Sequence, residues 1–303
     1  MTRTTSLLGI LITIIAGVFL YMKLCSSCGV AAVAEEPVKE AVTAPVAPTS
    51  TSYPFAFSDG EYAYNENDNY NFKASSSSIL MPLSQKVTDG IASLKGFLSG
   101  NDEKVINVTG YYKSSETNSS AFPNLGLARA NTVKNNLVEN GISSTQINTM
   151  SKLMDEMAAK DDVYYGPVAY SLGDKAADAD NELKALFEKI NTNPLILYFD
   201  TAEASIELTA QQRQKVADIS RYLDKKDGAT AQVEGHTDNE GRPSTNMRLG
   251  QGRADFAKDY LIKNGITATK IITTSKGESK PMESNATEAG KAKNRRSVVT
   301  VKN

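Results

Sequence analysis

Apolar positions in the last third of the chain recur with two periods, and each change of period marks an element. Leu195 to Phe199 (LILYF) is a short apolar run of strand length. Beyond it, Val216, Ile219 and Leu223 fall on one face of a helix. Thr209 stands at the head of that helix with Gln212 three residues on. This is the spacing of a capping box, in which hydroxyl and amide each satisfy the other residue's backbone N–H. Lys225 and Lys226 lie near its end, where cations favour the helix dipole, and Gly228 stops it. Alternation with period two returns over Thr230 to Glu234. A second helix is expected from about Asn246 to Lys263, burying Leu249, Phe256, Tyr260 and Leu261, with Gly265 ending it. Strands at Lys270 to Ser275 and Ser297 to Val301 complete a β-α-β-α-β-β order. Such an order is expected to fold as an α/β sandwich, with helices on one face of a mixed sheet.

A related order is legible upstream. Ser84 caps an expected helix carrying Val87, Ile91, Leu94 and Leu98, and Val105 to Thr109 reads as a strand. Asn124 to Glu139 reads as a helix, and Gln146 to Leu153 and Val163 to Leu172 read as strands. The Tyr- and Asn-rich residues 54–80 show no strand that can be placed, and Glu182 to Ile190 is expected as a short linking helix. Residues 106–147 also resemble residues 231–271, with a loop before the helix that differs by one residue. Leu125, Gly126, Arg129 and Ala130 fall on Leu249, Gly250, Arg253 and Ala254, and Asn140-Gly141-Ile142 falls on Asn264-Gly265-Ile266. Repetition at so long a spacing implies two related domains rather than a solenoid.

The N-terminus has a different pattern. Leu7 to Met22 is apolar and uncharged, longer than a typical signal-peptide core and slightly short of a full membrane span. Arg3 and the α-amino group precede it, a positive bias at the front that favours a cytoplasmic N-terminus with the rest exported, and Lys23 can snorkel at the far end. No small-x-small cleavage site follows closely, since Ala32-Val33-Ala34 lies well downstream. An uncleaved anchor is therefore preferred to a cleaved signal peptide, and Leu24 and Ser27 give the cysteines a poor lipoprotein context. Cys25-Ser26-Ser27-Cys28 has thioredoxin-like spacing without the βαβ setting that depresses a thiol pKa, and reads as an exposed pair. Residues 29–53, rich in Ala, Val, Pro, Thr and Ser, read as a tether that reaches some 70–80 Å at about 3.1 Å per residue. The expected partition is 1–28 anchor or signal, 29–53 linker, 54–180 upstream domain, 181–193 linking helix and 194–303 downstream domain.

Composition narrows the chemistry. In 303 residues, 40% hydrophobic and 22% charged, the chain is globular rather than disordered. A formal net charge of -2 argues against a nucleic-acid partner, which needs a cationic face. With one histidine, His236, and two cysteines beside the anchor, a His/Cys metal site cannot be built in the folded part. Ser244 and Thr245 lie near His236, but no oxyanion hole or orienting pattern accompanies them. No catalytic residue, metal or cofactor is therefore expected.

From about Pro194 to Asn303 the chain resembles the OmpA C-terminal-like domain. The likeness rests on Gly235, Thr237, Asp238, Gly241, Asn246, Leu249, Arg253 and Ala254 at the family's spacing. The tail adds Gly277-Glu278, Pro281, Asn285, Thr287 and Asn294-Arg295-Arg296. Two positions depart from the family: Gly250 replaces its usual Ser, and Ser275-Lys276 replaces its usual Gly-Tyr. The resemblance implies a peptidoglycan-binding module in which Asp238 and Arg253 hold diaminopimelate of the stem peptide, with Thr237, Gly241, Asn246 and Arg296 in support. That pairing suits a zwitterion, because the carboxylate takes the ammonium and the planar guanidinium takes the carboxylate with two parallel bonds. Bonds of about 1.5–3 kcal/mol each imply affinity per site from about millimolar to tens of micromolar. Asn246 is expected foremost as a helix cap or loop-shaping residue and His236 as a loop residue, while Arg295 and Arg296 are expected either to touch a wall polymer or to supply one structural ion-pair partner.

Upstream, Lys113 stands where Asp238 stands downstream, while Arg129 is kept. This half is therefore not expected to hold diaminopimelate. A spacer, a homodimer surface, a protein-partner platform, a basic site at Lys113 and Arg129, or a decayed duplicate kept for packing all remain open. The whole reads as a membrane-held periplasmic protein tying the envelope to peptidoglycan. An inner-membrane anchor through residues 7–22 is favoured over an outer-membrane or cleaved periplasmic form. The alternative is an envelope assembly protein whose first domain recruits a partner.

Overall fold

In the computed structural model, residues 13–21, 50–199 and 207–303 are described, and the chain divides into two units, Met1–Ala47 and Pro48–Asn303. In the first unit residues 13–21 form a helix (α1) whose apolar Ile14, Ile15, Val18, Phe19, Leu20 and Tyr21 are all exposed. No helix among the described residues is long and apolar enough to cross a membrane. The two ends of the expected anchor over residues 7–22, Cys25, Cys28 and tether residues 29–49 lie outside the described residues.

The second unit is built on two mixed sheets, each with its own core. Upstream, β1 (Phe55–Asp59) and β2 (Tyr62–Glu66) form a hairpin that turns at Gly60, with φ +58°. α2 (Gln85–Ser99) begins at Ser84, whose side chain accepts the Val87 N–H, and buries Val87, Ile91, Leu94 and Leu98 as expected. β4 (Lys104–Tyr112) lies between a parallel β5 (Ile147–Leu153) and an antiparallel β7 (Val168–Asp174). Between β4 and β5 runs α3 (Leu125–Glu139), capped by the Asn124 side chain on Leu127 N–H. Phe55, Phe57, Tyr70 and Phe72 from the lead-in fill the core under α2 and α3, so residues 54–80, which show little periodicity, are packed residues. The single strand expected over Val163–Leu172 is two strands. β6 (Val163–Tyr164) pairs with β3 (Phe72–Lys73), and Gly166, at φ +63° with Tyr53 O 2.3 Å from a would-be Cβ, turns the chain into β7.

Downstream, the order is β8 (Leu195–Tyr198), α5 (Ala210–Lys225), β9 (Thr230–His236), α6 (Pro243–Lys263), β10 (Ile271–Gly277), α7 (Glu288–Asn294) and β11 (Arg296–Lys302). The sheet runs β10-β9-β11-β8, with β10 parallel to β9 and the other pairs antiparallel. The capping box at Thr209 and Gln212 is formed in both directions. This is the mixed α/β arrangement expected, with α7 as an added helix. α4 (Ala179–Thr192) is longer than the linking helix expected. It buries Ile190 in the downstream core and rests Leu183, Leu186 and Phe187 against it.

α6 differs from expectation in start and in phase. It opens at Pro243, whose missing N–H costs nothing in a first turn, so Asn246 lies inside the helix and is not its cap. Leu249 is 49% exposed, against the expectation of burial. The reason is backbone proximity. A Cβ on Gly235 would sit 1.8 Å from Gly250 O, so α6 lies directly on β9 there, with the small residues Gly250, Ala254 and Ala257 buried along the contact. Leu249 is displaced to the helix flank, while Leu261, further along, is fully buried as expected. The same contact occurs upstream, where a Cβ on Gly110 would meet Gly126 O at 1.9 Å.

The two halves touch through polar and apolar contacts. Ala121, from the loop before α3, is buried in the downstream core, and its N–H donates to Asn264 Oδ1 at 2.7 Å. Asn135 donates to Gly265 O, Ser144 to Asp224 O and Lys225 to Thr145 O. The nearly buried Lys134 pairs with Asp224 at 2.6 Å.

The glycine contact explains one departure from the family. A Cβ on Gly250 would lie 2.3 Å from Ser275 Oγ, so the serine expected in the helix stands instead on the facing strand. Gly250→Ser alone is expected to cost about 1–3 kcal/mol by overpacking, and adding Ser275→Gly to recover much of it. Gly235→Ala, which meets backbone, is expected to cost at least as much with no such rescue. Denaturant midpoints of the four proteins, with wild type, measure this.

Candidate functional site

The loop between β9 and α6 carries the expected site, at the end of the closest helix–strand contact. Thr237 continues β9 by donating its N–H to Gly277 O, and its hydroxyl donates to Asp238 O, which fixes the peptide that presents Asp238. Gly241 turns the loop at φ +99°, a conformation that disfavours a side chain. Arg253 lies three residues beyond Gly250 on α6. Its Nη1 donates to His236 O at 3.0 Å, which ties the guanidinium to the end of β9.

Asp238 is mostly buried and does not bond Arg253 directly. Its Oδ2 accepts from Arg295 Nη1 at 2.9 Å and its Oδ1 from Glu240 N–H at 3.2 Å. The Asx-type turn and the ion pair coexist. Of the two adjacent arginines, Arg295 supplies the ion pair expected of one of them, and it takes the place at the site that was expected of Arg296. Adjacent arginines at the start of a strand point to opposite faces, and nothing in one sequence says which faces the loop. Arg295 Nε is buried and has no partner among the described residues. Arg296, expected in support, is buried and braces backbone instead, with Nη2 on Lys280 O at 3.1 Å. Asn294, fully buried, accepts from Met282 and Glu283 N–H and donates to Glu283 O, so it knits the loop before α7.

Asn246 is fully buried one turn inside α6. Its Nδ2 donates to the Glu278 carboxylate, while Oδ1 has no partner and faces Gly241, 3.8 Å from a would-be Cβ. Arg253 is half-buried. Burial pulls its guanidinium below its ordinary pKa, Asp238 opposes that shift, and Arg295 adds to it. The site thus gathers the Asp238 carboxylate with two guanidinium groups, and Glu278 beneath it on Asn246. Among the described residues Arg253 Nε and Nη2 have no protein acceptor. No group of three or more His, Cys, Asp or Glu that could hold a metal is present among the described residues.

The sequence profile of the OmpA family matches residues 71–162 and again residues 198–295. A segment of 81 residues is 40% identical to outer membrane porin F of Pseudomonas fluorescens, covering 27% of this chain and 25% of that protein. A segment of 93 residues is 41% identical to the peptidoglycan-associated lipoprotein of Haemophilus influenzae, covering 31% of this chain and 61% of that protein. The chain thus spans less than two thirds of these curated relatives. Among solved structures, the peptidoglycan-associated lipoprotein from Burkholderia pseudomallei aligns over 35% of this chain and 89% of its own, at 27% identity and TM-score 0.32.

His236 carries a prediction of its own. Its ring is buried, Nδ1 lacks a partner, and burial reinforced by the Arg296 cation lowers its pKa from 6.5 to about 4. Between those values the unfolded chain takes up a proton and the folded chain does not, so stability falls as pH drops from about 6.5 to 4. The loss between pH 6.5 and 5 precedes most carboxylate titration and is expected to shrink in His236→Asn. Thermal melts across that range test it, and equal pH slopes in both proteins would refute it.

Proposed function

The chain belongs to the OmpA family, and from that premise we propose that its downstream half binds peptidoglycan non-covalently through diaminopimelate of the stem peptide. The observation that supports this is the juxtaposition of Asp238 with Arg253, whose unused donors flank a carboxylate already steadied by Arg295. A ligand carboxylate takes the Arg253 fork, and the neighbouring ammonium takes the remaining lone pairs of Asp238. Thr237, Gly241 and Arg296 hold the loop in place rather than touching ligand. The role is attachment, not catalysis, and it serves the cell envelope.

In this reading the upstream half is a diverged copy. The second family match, the shared glycine contact, and Arg129 Nη1 on Tyr111 O where Arg253 Nη1 meets His236 O all support it. Residues 7–22 supply a membrane anchor, with the rest in the periplasm. α1, with its apolar side chains all exposed, suits a lipid surrounding. Many weak contacts across a wall then give durable attachment.

Sedimentation of the full-length protein, held in mild detergent, with purified insoluble peptidoglycan tests this. Asp238→Asn and Arg253→Glu are each expected to weaken binding about tenfold or more, from the loss of about 1.5–3 kcal/mol. Unchanged thermal melts establish that both variants are folded. If wild type and both variants sediment alike, the site is elsewhere. If folded wild type stays soluble, the protein-partner reading replaces this one.

A further inference from the structure

The upstream counterpart of the site is already full. Arg129 is completely buried, and all five of its N–H groups reach acceptors. Nε donates to Ser76 O at 3.0 Å, Nη1 to Tyr111 O at 2.9 Å and to Glu116 Oε2 at 3.0 Å, and Nη2 to Glu116 Oε1 at 2.5 Å and to Lys73 O at 3.4 Å. The Glu116 carboxylate receives two further bonds, from Ser75 N–H and Lys113 N–H, each at 3.0 Å. Four donors therefore converge on two oxygens: a guanidinium fork and two backbone amides. This is the donor set of a dedicated carboxylate site, with the rings of Phe72 and Tyr164 against the guanidinium. Lys113 contributes no charge to it, since its Nζ is turned to Met157 O at 2.8 Å.

The loops of the two halves differ at the decisive position. Glu116 stands three residues after Lys113, and Gly241 stands three residues after Asp238. The upstream loop brings its own carboxylate to the arginine, and the downstream loop has no side chain there to bring. We propose that Glu116 is a tethered ligand. The upstream half is a carboxylate-binding site occupied in cis by its own loop, and this closes it to wall peptides. Removing that one carboxylate makes it a site for a small free monocarboxylate such as acetate or formate. This inference does not depend on peptidoglycan binding downstream.

The test is chemical rescue of full-length Glu116→Ala. An uncompensated buried guanidinium is expected to lower the melting temperature by roughly 10 °C. Sodium acetate or formate is expected to restore at least half of that loss, while sodium chloride at equal ionic strength does not and wild type does not move. Glu116→Gln, which fills the space without charge, is expected to gain nothing from acetate. The proposal is overturned if chloride rescues as well as acetate, if wild type rises equally, or if acetate stabilises Glu116→Gln to the same degree. Should Glu116→Ala not fold unaided, its refolding yield with and without acetate is the readout. A rise specific to the carboxylate supports the tethered ligand, and no rise overturns it.

Discussion

The approach of α6 to β9 at Gly235 and Gly250 is the constraint on which the downstream half depends. Two backbones that meet without side chains between them cannot slide or tilt without collision. That contact fixes the height of the helix above the sheet, and with it the reach of Arg253, less than one turn further along. It also decides which residues the helix buries. Small residues lie beneath it at the contact, Leu261 is buried further along, and Leu249 is left half-exposed at its side. The site is thus an outcome of packing before it is an outcome of charge.

The two arginines show what burial demands of a cation. Arg129 is fully enclosed and every donor is matched, because an unmatched guanidinium in the interior carries a penalty of several kcal/mol. Arg253 is only half-buried, and its Nε and Nη2 have no protein acceptor among the described residues. One framework, an arginine on the helix bonded to the carbonyl at the strand end, therefore supports opposite states. Which state holds is set by a loop of a few residues, not by the fold.

Much of this was legible in the amino-acid order. Caps at Ser84 and Thr209 use local hydrogen bonds that depend on neighbours three residues away, so their positions could be read directly. Asp238 and Arg253 were legible as a motif. What could not be read depended on partners distant along the chain. Arg295 meets Asp238 across 57 positions, and Ser75 meets Glu116 across 41. The phase of α6 escaped periodicity because the middle of its buried stripe is Gly250, Ala254 and Ala257, which carry little hydrophobic signal, and its first buried residue is the polar Asn246. The strand expected over Val163–Leu172 hid a left-handed glycine that parts two sheets. α4 was read as a connector because its apolar face is short, yet that face is packed.

The loop between β4 and α3 is fastened at both ends. Glu116 is locked on Arg129, and five residues later Ala121 is buried among downstream side chains with its N–H on Asn264. Any load that passes from one half to the other is carried in part by this loop, which is fastened in both. Its carboxylate is therefore a rivet between the loop and α3. Slackening it would let the joint between the halves yield before either core is stretched.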